Sequence, residues 1–151
     1  MKLLEEELEL ESITVMIQKE VADRLVAKPG EVNTGAITYA INYYTKPSRI
    51  YEVDKTSFIP APEVNSTIIK LDVLKTPSIK VENEELMFKI IKSAFMQKRK
   101  TLLNSLTNSN LFGNKDEIEK ILQEFNIDLK KRGEKLTLAE YAQIADYLNK
   151  K

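Results

Sequence analysis

The chain has 151 residues, 23 basic and 23 acidic side chains, and neither cysteine nor histidine. This length suits one domain or two very small ones. The missing residue types exclude disulfides, thiol nucleophiles, Ser-His catalysis and the commonest zinc ligands, and the sequence contains no metal-binding motif. No apolar run long enough for a membrane span and no basic-then-apolar leader is visible, so we expect a cytoplasmic protein.

The charges are unevenly distributed along the chain. Residues 1–11 carry five glutamates against one lysine. From Leu86 to Lys115 there is no acid, and six basic residues occur: Lys89, Lys92, Lys98, Arg99, Lys100 and Lys115. A segregated basic face is compatible with a polyanion partner, although a solvated helix face would give the same pattern.

The first half alternates between helical and strand patterns. Leucines among glutamates predict a helix over 1–10 that begins without a capping residue. The run SITVMI at 12–17 is typical of a buried parallel strand, and 18–27 returns to helical spacing before Lys-Pro-Gly. Helix, strand and helix in this order indicate an α/β sheet.

A further helix and two strands complete this half. Residues 34–45 have helical spacing, whereas 49–54 and 66–74 have strand patterns. The short link between the two strands predicts an antiparallel pair. The polar, proline-containing stretch 75–85 then predicts a boundary, giving domains 1–75 and 76–151.

The second half is expected to be all helical. Periodic segments cover 84–97, 101–106, 114–125 and 136–150, and Thr137 ahead of Glu140 predicts a capping box. These segments predict a helical bundle of roughly 65 residues, near the lower limit for independent folding.

A single continuous helix over 84–100 would place a charged residue on its apolar face. Met87, Ile90, Ile91, Ala94 and Phe95 share one helical face, and Lys98 would fall in the middle of that face if the helix continued. Lys89, Lys92, Arg99 and Lys100 would gather on another face. We therefore expect the helix to break near 97–100, which would leave three cations around a helix end suited to phosphate contact.

A rigid segment separates the two strands of the first half. Phe58 precedes Pro60 and Pro62, which remove two backbone donors and favour an extended path outside a sheet interior. Phe58 is either a core aromatic between the strands or a stacking platform for a base or cofactor. The four glycines are widely separated, so neither a GxGxxG motif nor a P-loop is present.

Four stretches together resemble one family. They are MIQKEVADRLVAKPG (16–30), FIPAPEVNSTIIKL (58–71), AFMQKRKTLLNSL (94–106) and RGEKLTLAEYAQIADYL (132–148). In this order and spacing they are similar to the C-terminal part of a small-subunit rRNA adenine N6-dimethyltransferase of the KsgA type. The related erythromycin-resistance rRNA methylases share the Phe-x-Pro-x-Pro pattern, but the last two stretches favour the KsgA type.

The resemblance implies an α/β fold: the C-terminal part of a Rossmann-like methyltransferase sheet, followed by a small all-helical domain that binds rRNA. It implies methyl transfer from S-adenosylmethionine to two adjacent adenosines near the 3′ end of small-subunit rRNA, within a 30S ribosomal precursor during ribosome maturation. It also implies that Phe58 stacks on the flipped target adenine. The rRNA contacts it implies are Arg24, Lys98, Arg99, Lys100 and Arg132. From the residues alone, Arg24 could be a surface charge and Arg132 could pair with Glu134.

The family's glycine-rich cofactor loop, its acidic ribose-binding residue and its Asn-Leu-Pro-Tyr segment have no counterpart in this chain. We therefore expect the cofactor-binding half to be missing and the chain alone to be inactive. A sheet missing several strands exposes an open edge and an apolar face, so we also expect self-association. The alternatives are a non-catalytic RNA-binding module or a large-subunit resistance methylase.

Overall fold

The computed structural model describes residues 10–150, and these form two compact units. The first contains residues 10–28 and 32–78, and the second contains residues 29–31 and 79–150. The helix predicted over 1–10 lies almost entirely outside the described residues. Among the described helices, none has both the length and the apolar character needed to cross a bilayer.

The first unit contains three strands and two α-helices. In chain order they are β1 (Ser12–Gln18), α1 (Lys19–Val26), α2 (Ala36–Tyr44), β2 (Thr45–Val53) and β3 (Ser66–Val73), with a 3₁₀ turn at Lys55–Ser57. Both helices and all three strands were predicted from the sequence pattern, and β2 begins four residues earlier than expected. Burial alternates along β3, whose buried positions are Thr67, Ile69 and Leu71.

The sheet has the strand order β1-β3-β2, with β3 antiparallel to both neighbours. The prediction of an antiparallel pair for the last two strands is therefore confirmed. The expectation that 12–17 forms a buried parallel strand is wrong. Its partner in the described chain is the antiparallel strand β3, and its side chains alternate between half-buried and exposed. A continuous β-branched run does not reveal this alternation.

The two faces of the sheet differ. On one face, Ile13, Val15 and Ile17 pack against a buried cluster that both helices and β3 supply, Ala22, Leu25, Ile41, Ile69 and Leu71. On the other face, Met16, Ile68 and Tyr51 form one row across the three strands. Met16 is 51% exposed and Tyr51 is 65% exposed, so this row is an exposed apolar patch within the described structure. The paired positions beside it on the same face, such as Thr14 and Lys70, are polar.

The second unit contains four α-helices: α3 (Glu84–Phe95), α4 (Leu102–Ser109), α5 (Lys115–Glu124) and α6 (Leu138–Asn149). Each begins at a side-chain cap, provided in turn by Asn83, Thr101, Asn114 and Thr137. The predicted capping box between Thr137 and Glu140 is confirmed. All four helices match the sequence prediction to within a few residues.

The core of this unit follows the predicted apolar stripe of α3. Met87, Ile90, Ile91 and Ala94 are at most 4% exposed, and Phe95 is half-buried. Buried side chains from the other three helices pack in the same unit, including Leu102, Leu106, Ile118, Ile121, Leu122, Tyr141 and Ile144. The core therefore draws on every helix of the bundle.

An ion pair joins α1 to β2 in the first unit. The carboxylate of Asp23 contacts the Arg49 guanidinium, and the Lys19 ammonium lies 3.2 Å from it. Burial raises the pKa of Asp23, but the hydrogen bonds from Arg49 and Lys19 outweigh this effect and hold the pKa below its usual value of 3.8. The ionised carboxylate is therefore the form that stabilises the fold.

We expect Asp23→Asn to lower the free energy of unfolding at neutral pH by about 0.5–1 kcal/mol, the range of partly exposed ion pairs. Because the folded-state pKa is lowered, this contribution is complete above the unfolded pKa and disappears as the pH falls through the folded pKa. Urea unfolding at neutral and acidic pH measures it. The control is Asp72→Asn, which breaks a more exposed pair with Lys70 and should change stability less. Equal losses for the two variants at neutral pH would contradict this assignment.

Candidate nucleic-acid interface

The predicted break after α3 forms an exposed basic turn, residues 96–100. The helix ends at Phe95, and α4 begins two residues after the turn, behind the Thr101 cap. Lys98, Arg99 and Lys100 are all exposed. Within residues 10–150 none of the three forms an ion pair with a carboxylate. The turn therefore presents three uncompensated positive charges to solvent.

The break separates basic residues that an unbroken helix would have gathered on one face. Lys89 and Lys92 lie in α3, whereas Arg99 and Lys100 follow its end at Phe95. The turn closes with a hydrogen bond from the Lys100 N–H to the Gln97 carbonyl, at 2.9 Å. The charges of Arg99 and Lys100 therefore belong to the turn, because a 100° step per residue applies only within a continuous helix.

The segment carrying Arg132 runs beside this turn. The Leu102 N–H donates to the Lys131 carbonyl at 2.9 Å, which ties the start of α4 to the chain just before Arg132. Arg132 is exposed, and it forms no ion pair with Glu134 or with any other described acid. The alternative reading of Arg132 as a partner of Glu134 is therefore not seen. The structure brings Arg132 close to the three cations of the basic turn.

Unlike Arg132, the neighbouring Lys131 has an acidic partner. Its ammonium lies 3.5 Å from the Glu140 carboxylate, which also accepts the Thr137 N–H in the capping box. Lys131 is therefore partly neutralised, and of these two adjacent cations Arg132 is the better candidate for phosphate contact.

Gly133 fixes the path of the Arg132 segment. A Cβ at Gly133 would lie 2.8 Å from the Ala94 Cβ and 2.8 Å from the Tyr141 hydroxyl, distances that real structures do not tolerate. The Tyr141 hydroxyl also donates to the Gly133 carbonyl at 2.7 Å. A residue without a side chain thus lets the segment pack directly on the end of α3.

Arg24, the remaining predicted RNA contact, lies in the first unit on the last turn of α1 and is exposed. Its aliphatic stem covers Gly35, where a Cβ would lie 2.9 Å from the Arg24 Cδ. The Thr38 hydroxyl donates to the Arg24 carbonyl at 2.6 Å, which anchors the backbone at this position. The backbone and the aliphatic stem of Arg24 are thus held in place, and its guanidinium forms no ion pair with a described residue.

Phe58 follows the 3₁₀ turn between β2 and β3 and is half-buried. It does not belong to the buried core, whereas the next residue, Ile59, is fully exposed. The Ile59–Pro60 peptide bond is cis. The segment therefore lies outside the sheet, as its prolines predicted, and Phe58 lies on a loop and outside the buried core.

Side-chain hydrogen bonds hold both ends of the Phe58 loop. The Asn65 side-chain oxygen accepts the Lys55 N–H at 2.9 Å, and Asp54 accepts both the N–H and the hydroxyl of Thr56. The backbone hydrogen bond from Thr56 is the main reason that the pKa of Asp54 lies below its usual value. Ionised Asp54 therefore stabilises the turn that precedes Phe58.

A groove between α3 and α4 adjoins the basic turn. Its volume is about 160 Å³, and six residues line it: Ser93, Met96, Gln97, Ser105, Asn108 and Ser109. The sequence reasoning missed these residues. The only signal was the polar run NSLTNSN at 104–110, which is unusually rich in hydroxyl and amide side chains for a core-facing helix.

Comparison with known proteins identifies the family. The family model for ribosomal RNA adenine dimethylase matches residues 1–150. The chain belongs to that family. It is 47% identical over 151 residues to ribosomal RNA small subunit methyltransferase A of Alkaliphilus oremlandii, covering all of this chain and 53% of the relative. The protein of the same name from Clostridioides difficile is 46% identical over 151 residues, of which this chain covers 52%.

Two solved structures share the fold. A dimethyladenosine transferase from Plasmodium falciparum matches with a TM-score of 0.80 at 23% identity, over 99% of this chain and 61% of that one. The 23S rRNA methyltransferase ErmE matches with a TM-score of 0.65 at 17% identity, over 95% of this chain and 57% of that one. The predicted fold class, part of a Rossmann-like methyltransferase sheet with a small helical domain, is confirmed. The chain spans about half the length of the curated relatives it matches.

We expect Gly133→Ala to destabilise the second unit by about 1–3 kcal/mol, the usual cost of overpacking a filled site. The added methyl group collides with Ala94 and Tyr141 and displaces the Arg132 segment. Chemical denaturation measures the change. The control is Glu134→Ala in the same 3₁₀ turn, which adds no atom to the packed region and should leave stability nearly unchanged. A Gly133→Ala variant as stable as the parent would contradict the packing described here.

Proposed function

We propose that this chain is the C-terminal portion of an rRNA adenine N6,N6-dimethyltransferase, which methylates two adjacent adenosines near the 3′ end of small-subunit rRNA during ribosome maturation. The observation that carries the proposal is the family match across residues 1–150, together with four exposed cations of the second unit that form no ion pair with a described acid. The identity of 46–47% to relatives named as small-subunit methyltransferases favours this substrate over large-subunit rRNA. A cytoplasmic location follows from the same proposal.

The residues present do not fit the cofactor S-adenosylmethionine. A nucleotide cradle needs glycines at which the backbone can approach the ligand. Here Gly35 is covered by Arg24, Gly113 by Glu117, and Gly133 by Ala94 and Tyr141. Gly30, the remaining glycine, follows a helix rather than the buried strand that such a loop requires. We therefore assign the methyl donor site to the part of the relatives that this chain does not match.

In this proposal the basic turn and Arg132 bind rRNA phosphates. Lys98, Arg99, Lys100 and Arg132 are exposed, lie close together and lack acidic partners among the described residues. Contacts of this kind position an enzyme on RNA without reading its sequence, and they release counterions. Arg24 adds a phosphate contact from the first unit.

Phe58 supplies one wall of the pocket for the flipped adenine. The N6 amine of a stacked base cannot meet a methyl donor in line, so the base has to leave the helix. A half-buried aromatic side chain on an anchored loop provides a stacking surface worth about 1–3 kcal/mol per base. We assign the opposite wall and the donor to the part of the relatives that this chain does not match, so we expect the 151-residue chain alone to be inactive.

Replacing Lys98, Arg99 and Lys100 with alanine should weaken binding to small-subunit rRNA and flatten its salt dependence. Three lost contacts lower the slope of log affinity against log salt by about 2, taking ~0.7 per phosphate of a single strand. Filter binding across a salt series measures the slope. The control variant replaces the exposed Lys115, Lys120 and Lys130, so its net charge is identical. Equal slopes for the two triple variants would contradict a local phosphate site.

The role of Phe58 is tested in a fusion of this chain to the N-terminal half of the Alkaliphilus oremlandii relative. Phe58→Ala should reduce methylation of unmethylated small subunits by about 10–100-fold, the equivalent of the stacking energy. Phe58→Tyr retains the ring and should retain most activity, and Ile59→Ala is the control. The unfused chain should transfer no methyl groups. Turnover by the unfused chain, or full activity of Phe58→Ala, would contradict the proposal.

We also propose that the isolated chain self-associates through the open face of its sheet. The row of Met16, Ile68 and Tyr51 is apolar, and two of its members are more than half exposed. Light scattering should show a mass above 17.3 kDa that falls towards this value when Met16 and Tyr51 are replaced by lysine. A parent chain that is already monomeric would refute this.

A further inference from the structure

The groove between α3 and α4 contains an unpartnered polar group. Ser105 is 3% exposed and lines the groove, and its hydroxyl has no hydrogen-bond partner among the described residues. A buried hydroxyl without a partner costs free energy. The neighbouring Ser109 differs, because its hydroxyl donates to the Leu106 carbonyl at 2.7 Å. Ser105 is thus left to bond with something that enters the groove.

Two amides complete the polar lining. The Asn108 side-chain nitrogen donates to the Gln97 side-chain oxygen at 3.0 Å, across the groove. Each side chain keeps further hydrogen-bonding capacity, because an amide has two donor hydrogens and an oxygen that accepts twice. Met96, which is 74% exposed, supplies an apolar wall. Amides beside a flexible apolar surface suit a flat, polar-edged ligand.

The size and position of the groove suit one aromatic ring of a single-stranded RNA. The groove, about 160 Å³ in volume, is large enough for one heterocyclic ring system. Gln97 directly precedes Lys98, so the groove opens beside the cations of the basic turn. Proteins read single-stranded RNA by hydrogen bonding to the edges of unstacked bases.

We infer that the groove between α3 and α4 binds one unstacked nucleobase of the RNA strand whose phosphates contact the basic turn. Ser105, Asn108 and Gln97 form hydrogen bonds with the base edge, and Met96 packs against its ring. The inference rests on the proposed function, because the basic turn holds the strand. It assigns base contact to a surface that otherwise provides only charge.

The test compares two fluorescent probes with the 151-residue chain. One is a short single-stranded oligoriboadenylate, and the other is an abasic ribose-phosphate oligomer of equal length. The chain should bind the adenylate about tenfold more tightly. Ser105→Ala and Asn108→Ala should each lower adenylate affinity about three- to tenfold, the effect of one or two lost hydrogen bonds, and leave abasic affinity unchanged. Asn104→Ala, exposed on the same helix and outside the groove, is the matched control and should alter neither affinity.

Two further measurements separate binding from folding. Ser105→Ala should not lower the thermal midpoint, because the hydroxyl that it removes has no partner to lose. In ¹⁵N-labelled protein, the side-chain amide signals of Gln97 and Asn108 should shift with the adenylate and remain in place with the abasic probe.

The outcomes distinguish the two proposals. Equal affinity for both probes, or amide signals that do not move, overturns the nucleobase site and leaves phosphate binding by the basic turn intact. Failure of the chain to bind either probe overturns RNA binding by the basic turn, and the nucleobase site is lost with it. A loss of affinity in the Asn104→Ala control equal to that in Asn108→Ala also overturns the site.

Discussion

The geometry of the second unit depends on where the ammonium group of Lys98 can lie. A continuous α3 would direct Lys98 into the stripe of Met87, Ile91 and Ala94, which are almost fully buried. Burying an unpaired charge there would cost far more than one turn of helix contributes. The helix ends at Phe95 instead, and Thr101 caps the next one. The same break that solves the packing problem produces the exposed basic turn and opens the groove beside it.

Other parts of the chain hold the surroundings of the break in place. The Leu102 N–H is satisfied by the Lys131 carbonyl, and Gly133 lies against the end of α3 under the Tyr141 hydroxyl. These contacts leave the charged side chains free while fixing the backbone that carries them. A backbone that is already fixed loses less conformational entropy when a ligand binds. The affinity of such a site therefore also depends on packing contacts that do not touch the phosphates.

Sequence reasoning succeeded where one local rule dominated. The Thr137 capping box and the break near Lys98 follow from side-chain chemistry within a few residues, and both were predicted. The pairing of β1 was not, because SITVMI has the same composition whether its partner runs parallel or antiparallel. The groove lining was also missed: Gln97 and Asn108 are 11 residues apart, and only the helix packing brings them within hydrogen-bonding distance. The roles of Phe58 and the cations came from family resemblance and stay predictions.

The glycines of this chain serve internal packing rather than ligand binding. In a domain that binds a nucleotide, glycines let backbone approach the ligand, whereas here Gly35 and Gly133 let side chains and backbone of the same chain approach each other. Each of these contacts fixes a segment that carries an arginine, Arg24 in one unit and Arg132 in the other. Under the proposed function, this close packing positions the two arginines that we propose as phosphate contacts. In the proposed enzyme, a chain built in this way supplies the substrate side of the reaction, and the methyl donor site is assigned to the part of the relatives that this chain does not match.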